Sequence, residues 1–193
     1  MMSKYKIPTH LYVVFEKLQI QLWTSTSNQP NHFFVHIPSK WLYPLNIFFK
    51  RDLSFWNSTL IENSAVDCSS FQKLDSLKLN CFINGNNALI FYVYYFYFLK
   101  IKLNLSIFYN FYKKPHINSI EGLYKNAGWL ERETAEMYGI NFKNKKDVRK
   151  LLTDYSNFEN PLLKSYPSEG FFDVFYNFFD DQVVLTNNSV VEL

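Results

Sequence analysis

Glycine is scarce in this sequence, five residues in 193, and none of the five stands in a spacing that cradles a phosphate. Gly85, Gly122, Gly128, Gly139 and Gly170 form neither G-x-G nor G-x-x-x-x-G-K, which excludes a glycine-loop nucleotide site. No serine sits in the strand-to-helix elbow of a hydrolase nucleophile. Cysteine is scarcer still. Cys68 and Cys81 are too few to carry an iron–sulfur cluster or a structural zinc by themselves, and they read as buried or idle thiols of a reducing compartment. No arginine precedes Arg51, and no apolar run with a small-residue cleavage site follows Met1-Met2-Ser3-Lys4-Tyr5-Lys6. Neither a secretory signal nor an Arg-rich import peptide is therefore read, and the expectation is a protein that stays where it is made or is made inside an organelle. A long hydrophobic run is also missing. The longest stretch free of charged and strongly polar groups, residues 88–99, has 12 residues, against about 20 for a membrane span, and reads as a buried strand.

Hydrophobic residues, by contrast, make up 48% and aromatic residues 20%, with 20 Phe and 14 Tyr. This is enough apolar material for a core, so a disordered chain is excluded. The preference for Phe, Tyr, Asn, Lys and Ile runs through the whole chain and fits AT-rich coding DNA of the kind small organellar genomes carry. The net charge of +3 falls short of the excess usual in a nucleic-acid-binding domain.

Periodicity predicts a helix within residues 11–23, where Leu11, Val14, Phe15 and Leu18 share a face. Residues 33–37 read as a strand stopped by Pro38. Trp41, Leu45, Phe48 and Phe49 mark a helix within 41–55. Residues 57–63 read as a turn region, 65–67 as the start of a strand, and 84–87 as a turn. The Ile, Val, Tyr and Phe run at 89–99 is a central strand. Residues 100–107 alternate polar and apolar strictly, so the two pair as an antiparallel hairpin. Ser119 is placed to cap a short helix over 120–125. A second helix spans 128–138, with Gly139 as the left-handed residue past its end. Residues 141–154 are strongly basic, and from residue 155 to 193 there is little helical periodicity. Pro161 and Pro167 punctuate an extended segment, and 171–175 and 183–185 read as short strands. The order predicts an α+β fold: a domain at 1–140 with an antiparallel sheet and flanking helices, then a long extended C-terminal tail at 141–193 that lies on partner surfaces.

Glu131, Arg132, Glu133 and Glu136 crowd one helix. A helical di-iron site wants Glu-x-x-His units, and no His lies here, so an ion-pair face is the reading, with Arg132 and Glu136 expected to pair at i,i+4. His32 and His36 are four apart on a strand, about 13 Å from each other, which is too far to share a metal. His10 and His116 stand alone. The basic run 143–150, with Tyr138, Phe142 and Tyr155 nearby, leaves an organellar RNA-binding or ribosomal protein as the alternative.

The segment Ala127-Gly-Trp-Leu-Glu-Arg-Glu-Thr-Ala-Glu-Met-Tyr-Gly-Ile-Asn-Phe142 closely resembles the signature of the 30-kilodalton subunit family of respiratory complex I, Ala-Gly-Trp-x-Glu-Arg-Glu-x-x-Asp-Met-Phe-Gly-x-x-Phe. Only Glu136 for Asp and Tyr138 for Phe depart from its fixed positions. Asn144-Lys-Lys-Asp-Val-Arg-Lys-Leu-Leu-Thr-Asp-Tyr155 follows the family's next stretch without a gap, with Lys145 and Lys146 replacing His-Pro. Pro161, Leu162, Lys164, Pro167 and Gly170 match a third stretch. The resemblance is dense over about 45 residues and thin elsewhere.

The resemblance implies a core structural subunit of the matrix arm, in the quinone-reducing module of NADH:ubiquinone oxidoreductase, beside the 49-kilodalton-type subunit on the matrix side of the mitochondrial inner membrane. It implies no catalytic, metal or cofactor-binding residue in this chain: FMN, Fe–S clusters and ubiquinone would sit on other subunits. The positions it marks for assembly are Trp129, Glu131, Arg132, Glu133, Glu136, Met137 and Gly139 on the helix. Asp147, Arg149, Thr153, Asp154, Tyr155, Pro161 and Pro167 follow beyond it. Glu131, Arg132 and Glu133 are expected to fix the helix end through ion pairs and hydrogen bonds.

Overall fold

The computed structural model describes residues 12, 13, 15, 16, 22–24, 31–69, 87–113, 116–155 and 158–188. The expected turn at 84–87 lies, but for Asn87, outside the described residues, as do Leu11, Val14, Leu18, His10 and Cys81. Five strands form one sheet in the order β1-β2-β5-β4-β3: β1 (Leu22–Thr24), β2 (His32–His36), β3 (Ser58–Asp67), β4 (Asn87–Phe96) and β5 (Ile101–Asn110). Helix α1 (Leu42–Arg51) follows β2 through one 3-10 turn. Helix α2 (Ala127–Tyr138) lies against β3 and is bracketed by two short strands, β6 (Ile117–Asn118) and β7 (Phe142–Lys143), which pair in parallel. A separate antiparallel hairpin, β8 (Phe172–Asn177) and β9 (Gln182–Asn187), stands near the C-terminus.

The strict alternation read in β5 is the alternation of its two faces. Ile101, Leu103, Leu105, Ile107 and Tyr109 are buried, while the residues between them are exposed or half-buried. Its antiparallel partner β4 buries Ala88, Ile90, Tyr92, Tyr94 and Phe96 on the same side. Leu42, Leu45 and Phe49 of α1 cover that face. Phe49 meets Phe96 edge-on at 5.1 Å and Tyr94 at 5.8 Å, with Phe55 closing the cluster at 5.3 Å from Phe96. The hairpin corner carries no glycine. It is a loop over 97–100 in which Lys100 takes the left-handed conformation at φ 51°, and the Lys100 N–H reaches the Tyr97 carbonyl at 3.4 Å.

Three expectations are corrected. Residues 58–63 are not a turn region but the first half of β3, paired with β4 through a bulge between Leu60 and Glu62. Its polar residues hid it: Ser58 and Asn63 are buried because Tyr124 and Thr134 reach them with hydroxyls, at 2.7 and 2.8 Å. Residues 120–125 are a run of turns rather than a helix. Ser119 Oγ accepts the Glu121 N–H there at 3.2 Å, a local turn instead of a cap. The helix predicted within 11–23 does not reach Trp23, which lies in β1; residues 12, 13, 15 and 16 are helical and Phe15 is fully buried in the core. The sheet is antiparallel at three of its four pairings. The fourth, β2 with β5, is parallel, His32 facing Lys102 through His36 facing Ser106.

Strand β3 is the edge of this sheet, and an open edge invites pairing with other chains. Here α2 covers part of it with side chains. Asn126 Nδ2 donates to the Leu60 carbonyl at 2.6 Å, and the Thr134 hydroxyl lies 3.1 Å from the Asn63 carbonyl.

Candidate functional site

Helix α2 holds its polar residues toward segments on both sides of it in the sequence, residues 119–120 before it and 145–162 after it. Asn126 precedes it in helical conformation and makes no side-chain cap, because its amide is committed to β3. At the other end Gly139 has φ 67°, and its N–H donates to the Ala135 carbonyl at 2.9 Å. The helix's last carbonyls would otherwise be orphaned. The tail satisfies two of them: Asn160 Nδ2 donates to the Glu136 carbonyl at 2.7 Å and the Leu162 N–H to that of Met137 at 3.1 Å. A Cβ at position 139 would stand 2.6 Å from Asn160 Oδ1. Gly139→Ala is therefore expected to cost about 1–2 kcal/mol from the left-handed backbone, and more from displacing Asn160. A urea melt of the variant that overlays the parent would contradict this.

Glu131 is fully buried. Its Oε2 accepts the Ser119 hydroxyl at 2.5 Å and its Oε1 the Ile120 N–H at 2.9 Å. Lys145, whose side chain is 2% exposed, stands 3.4 Å from Oε2 and donates to the Gly128 carbonyl at 2.9 Å, with Glu121 3.7 Å away. Burial pushes the Glu131 carboxyl up from its ordinary range, against the opposing pull of Ser119, Ile120 and Lys145. The β6–β7 bridge makes this possible. It lays the chain leaving the helix beside residues 117–118, so that Lys145 arrives under Glu131.

Arg132 spreads its guanidinium over the next segment. Nε donates to the Arg149 carbonyl at 2.9 Å, Nη2 to that of Lys150 at 3.1 Å, and Nη1 stands 3.3 Å from Asp147 Oδ2. Asp147 also accepts the Arg149 guanidinium at 2.8 Å and the Arg149 N–H at 3.0 Å. These donors, Arg149 foremost and Arg132 behind it, hold the Asp147 carboxyl well below the usual carboxylate range. Trp129, exposed, lies 5.2 Å beneath the Arg132 guanidinium.

Glu136 captures a third segment. The Leu151 and Thr153 N–H groups donate to its two oxygens at 2.6 Å each, the Leu152 N–H at 3.1 Å, and the Thr153 hydroxyl adds a fourth donor. Partial burial pulls this carboxyl upward. The Thr153 hydroxyl and the three amides outweigh it and hold the group down at about 2. The expected Arg132–Glu136 pair does not form. Each side chain has better-aligned partners in residues 147–153 than the solvated i,i+4 contact offers.

The marked residues thus divide, with Trp129 stacked on Arg132 at the clasp's exposed side. Glu131, Arg132, Glu136, Met137, Gly139, Asp147, Arg149 and Thr153 are joined in one clasp. Glu133, Asp154 and Tyr155 are exposed and outside it. Of the prolines, Pro167 is buried and its carbonyl accepts the Gly170 N–H at 3.0 Å, while Pro161 is half-buried between Asn160 and Leu162. The clasp's partners that the pattern did not mark are Ser119, Lys145 and Asn160; nothing in their spacing singles them out. Much of the basic run is spent within the chain. Lys145 is buried against carboxylates, Arg149 is paired with Asp147, and Lys150 Nζ reaches the Asp154 carbonyl at 3.3 Å. Among the described residues no group of His, Cys, Asp and Glu is arranged to hold a metal ion, and no helix is long and apolar enough to cross a membrane.

The tail continues from the clasp to the sheet. The Lys164 N–H donates to Asp67 Oδ2 at 2.9 Å at the end of β3. It then ends in the β8–β9 hairpin, which leaves its large apolar side chains uncovered. Phe172, Val174, Tyr176, Val183 and Leu185 share one face by register, and each is 45–68% exposed.

Residues 35–172 match the family described as respiratory-chain NADH dehydrogenase, 30 Kd subunit. NADH-ubiquinone oxidoreductase subunit 9 of Paramecium primaurelia is 35% identical over 190 residues, covering 98% of this chain and 88% of that one. Two solved structures share the fold. A trypsin-resistant fragment of Nqo5 aligns with a TM-score of 0.53 at 15% identity, covering 71% of this chain and 98% of that one. A chain of an archaeal membrane-bound sulfane sulfur reductase, a respiratory membrane complex, aligns with a TM-score of 0.59 at 13% identity, covering 81% and 82%.

Proposed function

Because the chain belongs to the 30-kilodalton subunit family of respiratory-chain NADH dehydrogenase, we propose that it works there as a fastener of neighbouring subunits and not as a carrier of electrons. It is a subunit of the NADH:ubiquinone oxidoreductase peripheral arm, and its partners are other subunits of that complex. In this reading residues 1–140 form the body and 141–193 the segment that meets the partners. The 49-kilodalton-type subunit is foremost among them, in the quinone-reducing module on the matrix side of the mitochondrial inner membrane. The chain itself is organelle-encoded and carries no FMN, iron–sulfur cluster or quinone.

One observation carries this reading. The signature residues spend their charges on holding residues 145–162 against α2, and the chain so held presents an apolar hairpin that none of the described residues covers. A two-stranded hairpin is marginal in water by itself, so a covering surface is needed. Separation of native complexes from membranes of the source organelle tests it. The chain should co-migrate with NADH dehydrogenase activity; a chain running alone would end the proposal.

Arg132 carries a second test. Arg132→Ala releases two backbone carbonyls and Asp147 together, so the segment at 147–150 loses its hold. The amount of assembled arm is expected to fall severalfold, while NADH:quinone turnover per assembled complex stays at the parent value. Full assembly with impaired turnover would argue for a role in the chemistry instead.

A further inference from the structure

Between Lys164 and Leu193 the sequence holds five carboxylates, Glu169, Asp173, Asp180, Asp181 and Glu192, and no Lys or Arg. The described part of this segment, residues 164–188, contains the β8–β9 hairpin. Its turn places Phe178 and Phe179 at 85% and 99% exposure, the positions in a chain where such rings are least supported by their own protein. Asp180 and Asp181 follow them directly.

The turn is not slack. Asn177 Nδ2 donates to Asp180 Oδ2 at 2.7 Å, and Asn177 Oδ1 accepts the Phe179 N–H at 3.0 Å. The Tyr176 hydroxyl donates to Asp181, and its ring meets Phe178 edge-on at 5.0 Å. At the base the Asn188 N–H donates to the Phe171 carbonyl at 2.8 Å. A held turn with two outward rings loses little conformational freedom on docking, which is what a binding anchor requires.

We propose that this turn is an aromatic anchor with an acidic collar, seating Phe178 and Phe179 in an apolar pocket edged by Lys or Arg side chains on a neighbouring subunit. The hairpin's apolar face, with Val174 and Leu185 at its centre, lies along the same partner. The chemistry selects the class of partner. Carboxylates beside the rings repel an anionic lipid surface and nucleic acid alike, while a protein pocket with a cationic edge supplies both burial and charge. This inference rests on the reading of the tail as an interface.

The test uses the full chain in the assembled complex, with a photo-reactive benzophenone side chain in place of Phe179. An adduct on another subunit, in an apolar stretch carrying Lys or Arg, is the result expected. An adduct on another subunit at a stretch without cations overturns the inference and leaves the interface reading standing. No adduct, or one confined to this chain or a second copy of it, overturns both. Charge variants supply an independent readout. Asp180→Lys with Asp181→Lys should lower incorporation about tenfold and the pair of Asn variants about threefold. Both pairs of variants disturb the turn contacts to Asn177 and Tyr176, so a loss shared equally by the Asn and Lys pairs would assign the effect to the turn's geometry and overturn the collar. Melting of the clasp, which neither carboxylate touches, should stay near the parent. Equal incorporation of all three chains overturns the collar.

Discussion

Glu131→Ala is expected to lower the unfolding free energy of the purified chain by about 3–5 kcal/mol, the largest effect of any single change on α2. The loss is more than that of one ion pair. Removing the carboxylate leaves Lys145, almost wholly buried, with its ammonium facing only the Gly128 carbonyl and the more distant Glu121. It also leaves the Ser119 hydroxyl and the Ile120 N–H without their acceptor. Most of the cost is the desolvation of these stranded groups, so part of it should be recoverable. Combining Glu131→Ala with Lys145→Met takes the uncompensated cation away and should restore a third or more of the lost stability in urea titrations. A double variant no more stable than the single would show that the ammonium is not the source of the penalty.

Glu136→Gln should cost about 2–3 kcal/mol, from a different cause. Both oxygens of Glu136 accept N–H groups, and glutamine offers one acceptor and one NH2 that faces the amides donor to donor. The dependence on pH has a defined sign. The folded carboxyl titrates at about 2, below its ordinary 4.5. The group therefore binds fewer protons folded than unfolded, and its contribution is complete above about pH 4.5 and fades as the pH falls toward 2. The stability gap between parent and Glu136→Gln should be flat at neutral pH and close through that acid window. A gap that widened on acidification would rule out this account of the clasp.

How far the sequence could be read depended on whether the signal was local. Helix α2 with Gly139, the alternation of β5 and the β8–β9 strands were all readable, because each is a pattern among near neighbours. The first half of β3 was not, although 65–67 was: Ser58, Glu62 and Asn63 look like loop residues until Tyr124 and Thr134 arrive to bond two of them. The clasp was legible by half. The resemblance marked Glu131, Arg132 and Glu136, but the rule for i,i+4 pairs joined Arg132 to Glu136. It holds for an isolated helix in water, not for one with a chain lying across it. Lys145 shows the limit most clearly, since its burial follows from the β6–β7 bridge, a parallel contact of two residues a side that leaves no periodic trace.

The parallel pairing of β2 with β5 sets an order on the making of this protein. Its partners lie 70 positions apart, as His36 and Ser106 do, so the sheet cannot close over its centre until residue 106 has left the ribosome. Widely separated contacts of this kind slow the search for the native state. Until β5 emerges, β2 and the Phe- and Tyr-rich β4 both lack the strand that lies between them, so that interval is the one in which the nascent chain has most apolar surface unpaired.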